Sequence, residues 1–480
     1  MRSNFIIFLV LIPFFSLAQN KKADLVTQKF DTSQLKQDVR LLKKVILKMH
    51  PVVGIYHPII YFDSLLTQLE HDITKPLTTK EFYIRLKSTI DDLQCGHSEV
   101  GVSKAYAKAM AKRKVNCSPY FFVPVHNKVY GIASISKKDT LIKKGDEILS
   151  INSISTQSLL SMCKKMITVD GQILTGKDYL LQSTFNAFYQ SLTFRPDTYT
   201  VQFKRGNLPP QEVKYKAVSL TKIPDLPIKA KPDSTLITYK KAAIKHRFYN
   251  DNQICYLKLS RFSHRKFKKA YRKIFKKIEK NKTNQLILDL RDNGGGSLAN
   301  FYRLISYFHD TTLNQSLYTK VNGYPEKKYT KGNFGFKITK LFFRVAGHYK
   351  HHGDTSFYTI AIKPNKRNHY NGKVVVLING ASFSASCLTA AYLKYQNRAT
   401  FIGQETSGTI EGCNAGVTAA YNLPNTKLRV RVPAFRIVHD VSPNPTGHGI
   451  KPDIEINYGF NDLLERKDLE LAKALELLQK

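Results

Sequence analysis

The spacing of hydrophobic residues changes along this chain, and each change marks a different kind of structure. In residues 25–115 the apolar positions return every three or four residues, which predicts helices. The apolar positions of the first helix are Leu35, Val39, Leu42, Ile46 and Met49, and those of the second are Phe82, Leu86, Ile90 and Leu93. We therefore expect residues 25–115 to form an N-terminal helical region.

Residues 118–215 carry short β-rich runs instead, beginning with Tyr120–Val125. The sequence GDEILSIN at 145–152 predicts a Gly-Asp turn that leads into a strand, and a helix is expected over 155–166. This order resembles PDZ-like domains, which bind an extended peptide as an added strand at an open sheet edge. An ordinary β-hairpin is the alternative, but the β-helix-β context favours a PDZ-like domain over 118–215.

The rest of the chain divides into a linker and a second mixed segment. Residues 216–245 contain several prolines among many lysines, and we expect a linker with little core of its own. From 246 to 480 apolar runs of strand length alternate with helical patterns, which predicts α/β layering. Residues 317–370 are rich in Lys, Tyr and Gly and are interpreted as an insertion. The predicted fold is therefore a multidomain protein of α+β and α/β parts.

The charge of the chain restricts its surroundings. It carries 75 Lys and Arg residues against 36 Asp and Glu residues, a formal net charge of +39. So large an excess makes the surface positive nearly everywhere and suits an anionic environment. Nucleic acid, anionic lipid, cell-wall polymer and acidic peptides all fit this description.

The N-terminus favours an extracytoplasmic environment. Residues 1–18 are interpreted as a secretory signal peptide, because a positive residue precedes the apolar run from Phe5 to Leu17 and small residues lead to a cleavage site near Ala18. We therefore expect an exported protein, periplasmic or secreted, with no nucleic-acid partner. No later run is long enough to predict a transmembrane anchor. The basic face of the helix expected within 264–282 leaves association with an anionic surface as a secondary alternative.

A glycine-rich segment follows one of the predicted strands. The sequence DLRDNGGGS occupies Asp289–Ser297, directly after a hydrophobic run. Glycines at a strand end let backbone N–H groups approach a ligand closely, so the segment suits either a phosphate or the oxyanion of a reaction intermediate. The spacing of phosphate-binding loops is absent, which favours an oxyanion hole.

Two further segments carry candidate catalytic side chains. The sequence NGASFSAS at Asn379–Ser386 joins a strand to a helix, where a serine is either an activated nucleophile or a helix cap. His97, in QCGHS at 94–98, is either the base that takes the proton of a serine or an ordinary surface histidine. The histidines at 348, 351 and 352 lack accompanying carboxylates, so we expect neither a metal nor another cofactor.

Taken in order, these segments resemble the motifs of the C-terminal processing peptidase and tricorn-like serine peptidase family. The resemblance spans about residues 85–455. The matching motifs are CGH at 95–97, GDEILSIN at 145–152, LRDNGG at 290–295, SFSASC at 382–387, GQETSG at 403–408 and GIKPD at 449–453. The resemblance implies a PDZ-like domain followed by a crotonase-like catalytic domain of ββα layers within 246–480.

The same resemblance implies roles for individual residues. Ser384 aligns with the nucleophile, and His97 aligns with the general base of the tricorn-like branch. The N–H groups of Ala385 and of either Gly294 or Gly295 align with the oxyanion hole.

The remaining members of the catalytic set differ from the family pattern. Thr409 stands where the other branch has a catalytic Lys, so a Ser/His pair is expected. Thr446 stands where the tricorn-like branch has a Glu that helps to set the His. The candidates left to orient His97 are Ser98, Glu405 and Asp440.

We therefore expect an exported serine peptidase that cleaves peptides or unfolded proteins through an acyl-enzyme. Its substrates are expected to be acidic or to be held by their C-termini, given the positive surface and the PDZ-like domain. The alternative is a peptidase-fold protein with little or no turnover that acts as an extracytoplasmic peptide-binding module. Thr409 and Thr446 are the residues that keep this alternative open.

Overall fold

The computed structural model describes residues 24–136, 140–221, 236–239, 243–263, 267–439 and 446–479. The predicted signal peptide and Asp440 lie outside these ranges. Among the helices described, none is both long enough and apolar enough to cross a membrane.

The N-terminal region is built mainly from helices, as its hydrophobic spacing predicts. Its helices α1–α4 span Thr32–Met49, Ile59–His71, Thr79–Asp91 and Lys104–Ala111. Its short strands β1–β4 span Lys29–Phe30, Leu77–Thr78, Glu99–Gly101 and Val115–Cys117. Helix α3 begins at a capping box, in which Thr78 and Glu81 satisfy each other's backbone N–H groups.

Residues 118–215 form one antiparallel sheet covered by two helices. Strands β5–β10 span Tyr120–Val125, Lys128–Ser134, Glu147–Ile151, Ile154–Ser155, Thr198–Lys204 and Gln211–Lys216. Helices α5 and α6 span Thr156–Lys164 and Leu174–Leu192. The strand order is β10-β9-β7-β6-β5, with β8 beside β7. This segment has a hydrophobic core of its own, and its outer strand β10 is largely exposed whereas β5 is buried throughout.

Apart from β11, the remaining strands form two larger sheets. Strands β11–β17 span Val218–Leu220, Ile237–Tyr239, Ile244–Tyr249, Ile254–Leu259, Gln285–Asp289, Leu313–Thr319 and His348–His352. Strands β18–β23 span Thr355–Ile362, Lys373–Ile378, Thr400–Gly403, Gly412–Asn422, Arg429–His439 and Ile454–Glu455. Helices α7–α12 span Phe267–Lys280, Leu298–Ile305, Asn333–Ala346, Ala385–Tyr395, Phe460–Glu465 and Leu469–Gln479, and a short 3₁₀ helix spans Lys327–Tyr329.

The larger of these sheets has the strand order β12-β13-β14-β15-β19-β20-β23, and it is parallel from β14 to β23. The second sheet has the order β17-β18-β16-β22-β21, and β3 of the N-terminal region pairs with β22. The helices α1–α3 share one continuous hydrophobic core with these two sheets. The N-terminal region is therefore packed against these two sheets.

Two predicted segments differ from expectation because they supply strands. The linker expected over 216–245 contributes β11, which pairs with β4, and β12, which extends the larger sheet; residues 222–235 and 240–242 lie outside the described residues. The insertion expected over 317–370 contains β17 and β18, which continue the second sheet beyond β16. Backbone pairing thus integrates both segments into the fold.

Candidate active site

The segments that carry the candidate catalytic residues meet at one edge of the larger sheet. Strands β15, β19 and β20 are parallel neighbours, and the glycine-rich loop, the Ser384 turn and the GQETSG segment follow them in that order. The carboxyl ends of parallel strands lie at the same edge, where α/β proteins commonly place their sites. This topology brings together segments that are far apart in the sequence.

Ser384 lies in a strained turn between β19 and α10. Its backbone has φ 56° and ψ −121°, a conformation that is rare for a residue other than glycine. The two neighbouring serines have structural roles instead. Ser382 Oγ donates to Leu290 O at 2.9 Å, and Ser386 Oγ donates to Asn293 O at 2.7 Å. Of the three serines in the motif, Ser384 is the one whose side chain points to the candidate base.

The loop that carries His97 is held by the segment 118–215 on one side and by the second sheet on the other. Before the histidine, Gly171 N–H donates to Gln94 O at 2.9 Å. After it, β3 pairs with β22, and Arg431 forms an ion pair with Glu99 at 2.7 Å. These contacts explain how a residue of the N-terminal region reaches a serine 287 positions later in the chain.

The structure brings His97 and Ser384 into hydrogen-bonding distance. His97 Nε2 lies 3.1 Å from Ser384 Oγ, and the His97 ring stacks on Phe383 with ring centroids 4.5 Å apart. Burial, together with the positive charge of Arg431, lowers the pKa of His97 to about 4. The imidazole is therefore neutral at physiological pH and able to accept the serine proton.

The glycine-rich loop approaches the serine so closely that a side chain would not fit. Gly295 has φ +93°, and a Cβ added there would lie 2.7 Å from Ser384 Cβ and 2.8 Å from Ala385 N. The Gly295 N–H is already bonded to Asn293 Oδ1 at 2.9 Å. Among the described residues, neither the Gly294 N–H nor the Ala385 N–H has an acceptor. Of the two glycines predicted for the oxyanion hole, Gly294 is thus the one with an available donor.

The residues predicted to orient His97 have other partners. Ser98 Oγ is 2.7 Å from His50 Nε2, and Glu405 accepts from Thr175 Oγ1 at 3.1 Å and from the Gly449 N–H at 2.9 Å. Asp440 lies outside the described residues. Within the described part of the chain, His97 Nδ1 is buried without a hydrogen-bond partner. The structure therefore does not bring Ser98 or Glu405 to this nitrogen.

A second histidine lies behind the first. The Val52 N–H donates to His50 Nδ1 at 3.0 Å, so the proton of this imidazole is on Nε2, which donates to Ser98 Oγ. Burial, with a smaller contribution from His97, lowers the pKa of His50 to about 3. His50 is thus a neutral structural residue that fixes Ser98.

Asp170 is a buried acid beside the His97 loop that the sequence interpretation missed. Its Oδ1 accepts the Gly96 N–H at 2.7 Å, while its Oδ2 is buried with no partner among the described residues. Burial raises the pKa of Asp170 to about 7; the Glu411 charge acts in the same direction, and the Gly96 N–H and Arg436 oppose it.

The groups around Asp170 are also buried. Glu411 Oε1 accepts from Tyr56 OH at 2.8 Å, and Arg436 Nη1 donates to Asn414 at 3.3 Å. Cys95 and Cys413 lie in the same surroundings, where burial raises the pKa of both thiols. All six cysteines of the chain are unpaired and buried. No local pattern marks Asp170, because only the folded chain places it next to Gly96.

Arg291 secures the loop that follows β15. Its guanidinium bonds to both oxygens of Asp289 and forms ion pairs with Asp468 at 2.6 Å and Glu470 at 3.0 Å. Burial alone would raise the pKa of Asp289, but Arg291 and Lys258 outweigh it, so this pKa is held well below its usual range. The network ties the glycine-rich loop to helix α12.

A cleft of about 800 Å³ opens beside this loop. It lies between the segment 118–215 and the larger sheet. Its lining includes Thr175 and Tyr179 from one side and Asp292, Asn379 and Glu405 from the other. Tyr179 OH donates to Asp292 Oδ1 at 2.6 Å across it. A polar cleft of this size next to the Ser384 turn can hold an extended peptide segment.

Solved structures share this fold. The structure of mature CPAF complexed with lactacystin is 16% identical, with a TM-score of 0.61, and the match covers 94% of this chain and 98% of that one. Mature CPAF alone is also 16% identical, with a TM-score of 0.59, and the match covers 90% of this chain and 94% of that one. At such identities these matches show the fold alone. No curated protein sequence matches the chain.

A serine beside a neutral histidine is the arrangement that serine-type hydrolases use. Residues 253–456 match the model of peptidase family S41. The matched region includes the glycine-rich loop, the Ser384 turn and the GIKPD motif. Over this region the chain is similar to the peptidases of family S41, which supports a serine-type peptidase and confirms the resemblance seen in its motifs.

Proposed function

We propose that this chain is an exported serine peptidase in which Ser384 is the nucleophile and His97 is the general base. The observation that carries the proposal is the 3.1 Å contact between His97 Nε2 and Ser384 Oγ. A serine becomes nucleophilic when a neutral base can take its proton during attack on the substrate carbonyl. The low pKa of His97 keeps that base unprotonated under neutral and mildly acidic conditions.

The reaction then follows from the positions of these groups. Ser384 Oγ attacks the peptide carbonyl, and its proton passes to His97 Nε2. The negative oxygen of the intermediate is stabilised by the N–H groups of Ala385 and Gly294. His97 returns the proton to the leaving amine, which leaves an acyl-enzyme on Ser384. Water, deprotonated by the same imidazole, then hydrolyses the ester.

Asp170 is proposed as the residue that positions His97. It fixes the preceding peptide through the Gly96 N–H, and its Oδ2 and His97 Nδ1 are both buried without partners. The two atoms are not bonded in this structure, so the proposal requires them to meet when a substrate binds. An ionised Asp170 would then stabilise the imidazolium formed during attack.

The unpartnered His97 Nδ1 also supports a second candidate function. If no acid orients the imidazole, the fold can bind peptides beside Ser384 without cleaving them efficiently. This protein would then be an extracytoplasmic peptide-binding module. The burst experiment below separates the two functions, because binding alone releases no product.

The segment 118–215 is proposed to be PDZ-like and to recruit substrates. Strand β10 is its exposed edge, where a C-terminus or an unstructured segment can add as a further strand. The net charge of +39 favours acidic peptides, and salt should weaken that attraction. Binding of an acidic peptide measured at rising ionic strength tests this part of the proposal.

The catalytic proposal is tested by mixing the protein rapidly with an excess of a chromogenic ester as the substrate. The wild-type protein should release a burst of about one equivalent of product, and intact mass should show the acyl group on Ser384. His97→Ala should lower the burst rate by about 10²–10⁴-fold, the usual contribution of a general base. A wild-type protein that binds peptides but gives no burst would favour the binding module.

A further inference from the structure

Helix α9 (Asn333–Ala346) carries a second apolar face that the fold leaves uncovered. Its inner side chains, Phe336 and Phe343, are buried against the second sheet. The opposite face consists of five apolar side chains that are 50–79% exposed: Phe334, Ile338, Leu341, Phe342 and Val345. We call these five residues the α9 patch.

The α9 patch is continuous because of its helical spacing. Its residues follow one another at intervals of four, three, one and three positions. At about 100° per residue they fall within an arc of about 100° on the helix surface, directly opposite Phe336 and Phe343. Large apolar side chains gathered on one exposed face indicate a surface that is covered by a partner.

The rim of the α9 patch is basic on one side. Lys337 and Arg344 are exposed and lie on the same side of the patch, adjacent to Leu341 on the helix surface. From residue 327 to residue 353 the chain has seven Lys and Arg residues and no Asp or Glu. Lys350, on the exposed edge strand β17, extends this basic surface.

We propose that the α9 patch binds the surface of an anionic phospholipid bilayer. A helix with Phe and Leu on one face and Lys and Arg at its border lies in the interface, where the apolar side chains enter the acyl boundary and the cations meet lipid phosphates. A second copy of the chain is a poor occupant, because two rims of the same positive charge would face each other. Such binding would hold the peptidase at a membrane without a spanning helix.

The absence of tryptophan from the sequence provides a clean probe of this contact. Phe342→Trp introduces a single indole into the α9 patch, at a position that is 62% exposed. Phe194→Trp is the matched control, because Phe194 is 59% exposed and lies in the segment 118–215, just beyond the end of α6. Each full-length variant is mixed with vesicles of equal parts phosphatidylglycerol and phosphatidylcholine, and with vesicles of phosphatidylcholine alone.

We expect the emission of Phe342→Trp to move to shorter wavelength and to be quenched by brominated lipid only in the anionic vesicles. The emission of Phe194→Trp should not change. The double variant Lys337→Gln, Arg344→Gln should bind anionic vesicles about 25-fold more weakly, about fivefold for each charge. Its labelling by an active-site reagent should equal that of the wild type, because neither residue contacts the catalytic site.

Three results would overturn the proposal. The first is an unchanged emission of Phe342→Trp in anionic vesicles. The second is equal vesicle binding by the double Gln variant. The third is a lipid-free dimer that Phe342→Ser, Leu341→Ser abolishes, which would assign the patch to a second copy of the chain.

Discussion

Replacing Asp170 by Asn is expected to change how the stability of this protein depends on pH. The carboxyl group is 2% exposed, and burial raises its pKa from 3.8 to about 7. Between these two pH values the folded protein binds the proton that the unfolded chain has released. The contribution of Asp170 to the free energy of unfolding therefore falls as the pH rises from about 4 to about 7. Above about pH 7 this contribution stays constant. Asn keeps the acceptor for the Gly96 N–H but cannot ionise.

The magnitude follows from the difference between the two pKa values. One pKa unit corresponds to about 1.4 kcal/mol, so ionisation of Asp170 costs the folded state about 4 kcal/mol at about pH 8. At about pH 5 the same calculation gives about 1.5 kcal/mol. The stability of Asp170→Asn relative to the wild type should therefore improve by about 2.5 kcal/mol between the two conditions. Any fixed effect of the new amide group cancels in this difference.

The assay is guanidinium unfolding followed by circular dichroism at both pH values. Asp354→Asn is the matched control, because Asp354 is exposed and should give the same difference from the wild type at both pH values. A relative stability of Asp170→Asn that does not change with pH would refute the reasoning. It would mean that this carboxyl group is solvated, or charged and paired, in the folded protein.

Three further predictions concern the catalytic site. The acylation rate of Ser384 should rise with pH at two inflections, one near pH 4 where His97 loses its proton and one near pH 7 where Asp170 loses its proton. Asp170→Asn should retain only the first inflection. A wild-type profile without the upper inflection would contradict the positioning role of Asp170. Gly96→Ala should slow acylation without changing the secondary structure, because the added Cβ would lie 2.6 Å from the Phe383 ring that stacks on His97. Gly101→Ala is the control and should not slow acylation, because the atom nearest to its added Cβ is 3.9 Å away. Arg291→Met should lower stability by about 3–5 kcal/mol in thermal or guanidinium unfolding, since it removes the guanidinium that pairs with the buried acids Asp289 and Glu470. A loss below about 1 kcal/mol would show that the network is dispensable.

Strongly periodic elements were predictable from the sequence. The strand expected at Tyr120–Val125 has those bounds in the structure, and the first predicted helix corresponds to α1. Each of these elements buries a regular set of apolar side chains, so its pattern is visible without tertiary information. Helix α2 was not predicted; Pro58 stands at its start, where proline is tolerated.

Helix α6 was not predicted, because polar side chains occupy part of its buried face. Asn186 exchanges hydrogen bonds with the backbone of Phe122 at 2.9 and 2.7 Å. Gln190 accepts from the Ser118 N–H at 3.1 Å. These side chains satisfy backbone groups of β5 and of the residues before it, and they interrupt the apolar period that would have marked the helix.

The candidate site was predictable only where a local motif marks it. The Ser384 turn and His97 carry such motifs, and the structure places them together. Asp170 and His50 do not, because their contacts with Gly96 and Ser98 exist only after chain segments distant in sequence have packed. The choice of Gly294 over Gly295 as the oxyanion donor likewise depends on tertiary contacts, because the Asn293 side chain accepts the Gly295 N–H.

The central claim is that Ser384 is an activated nucleophile, and labelling with a fluorophosphonate measures this most directly. The wild type should be labelled once, on Ser384, and Ser384→Ala should not be labelled. Ser382→Ala and Ser386→Ala are matched controls that should retain labelling, because both hydroxyls are already bonded to backbone carbonyls. A wild-type protein that resists the reagent, or one whose labelling survives Ser384→Ala, would contradict the account.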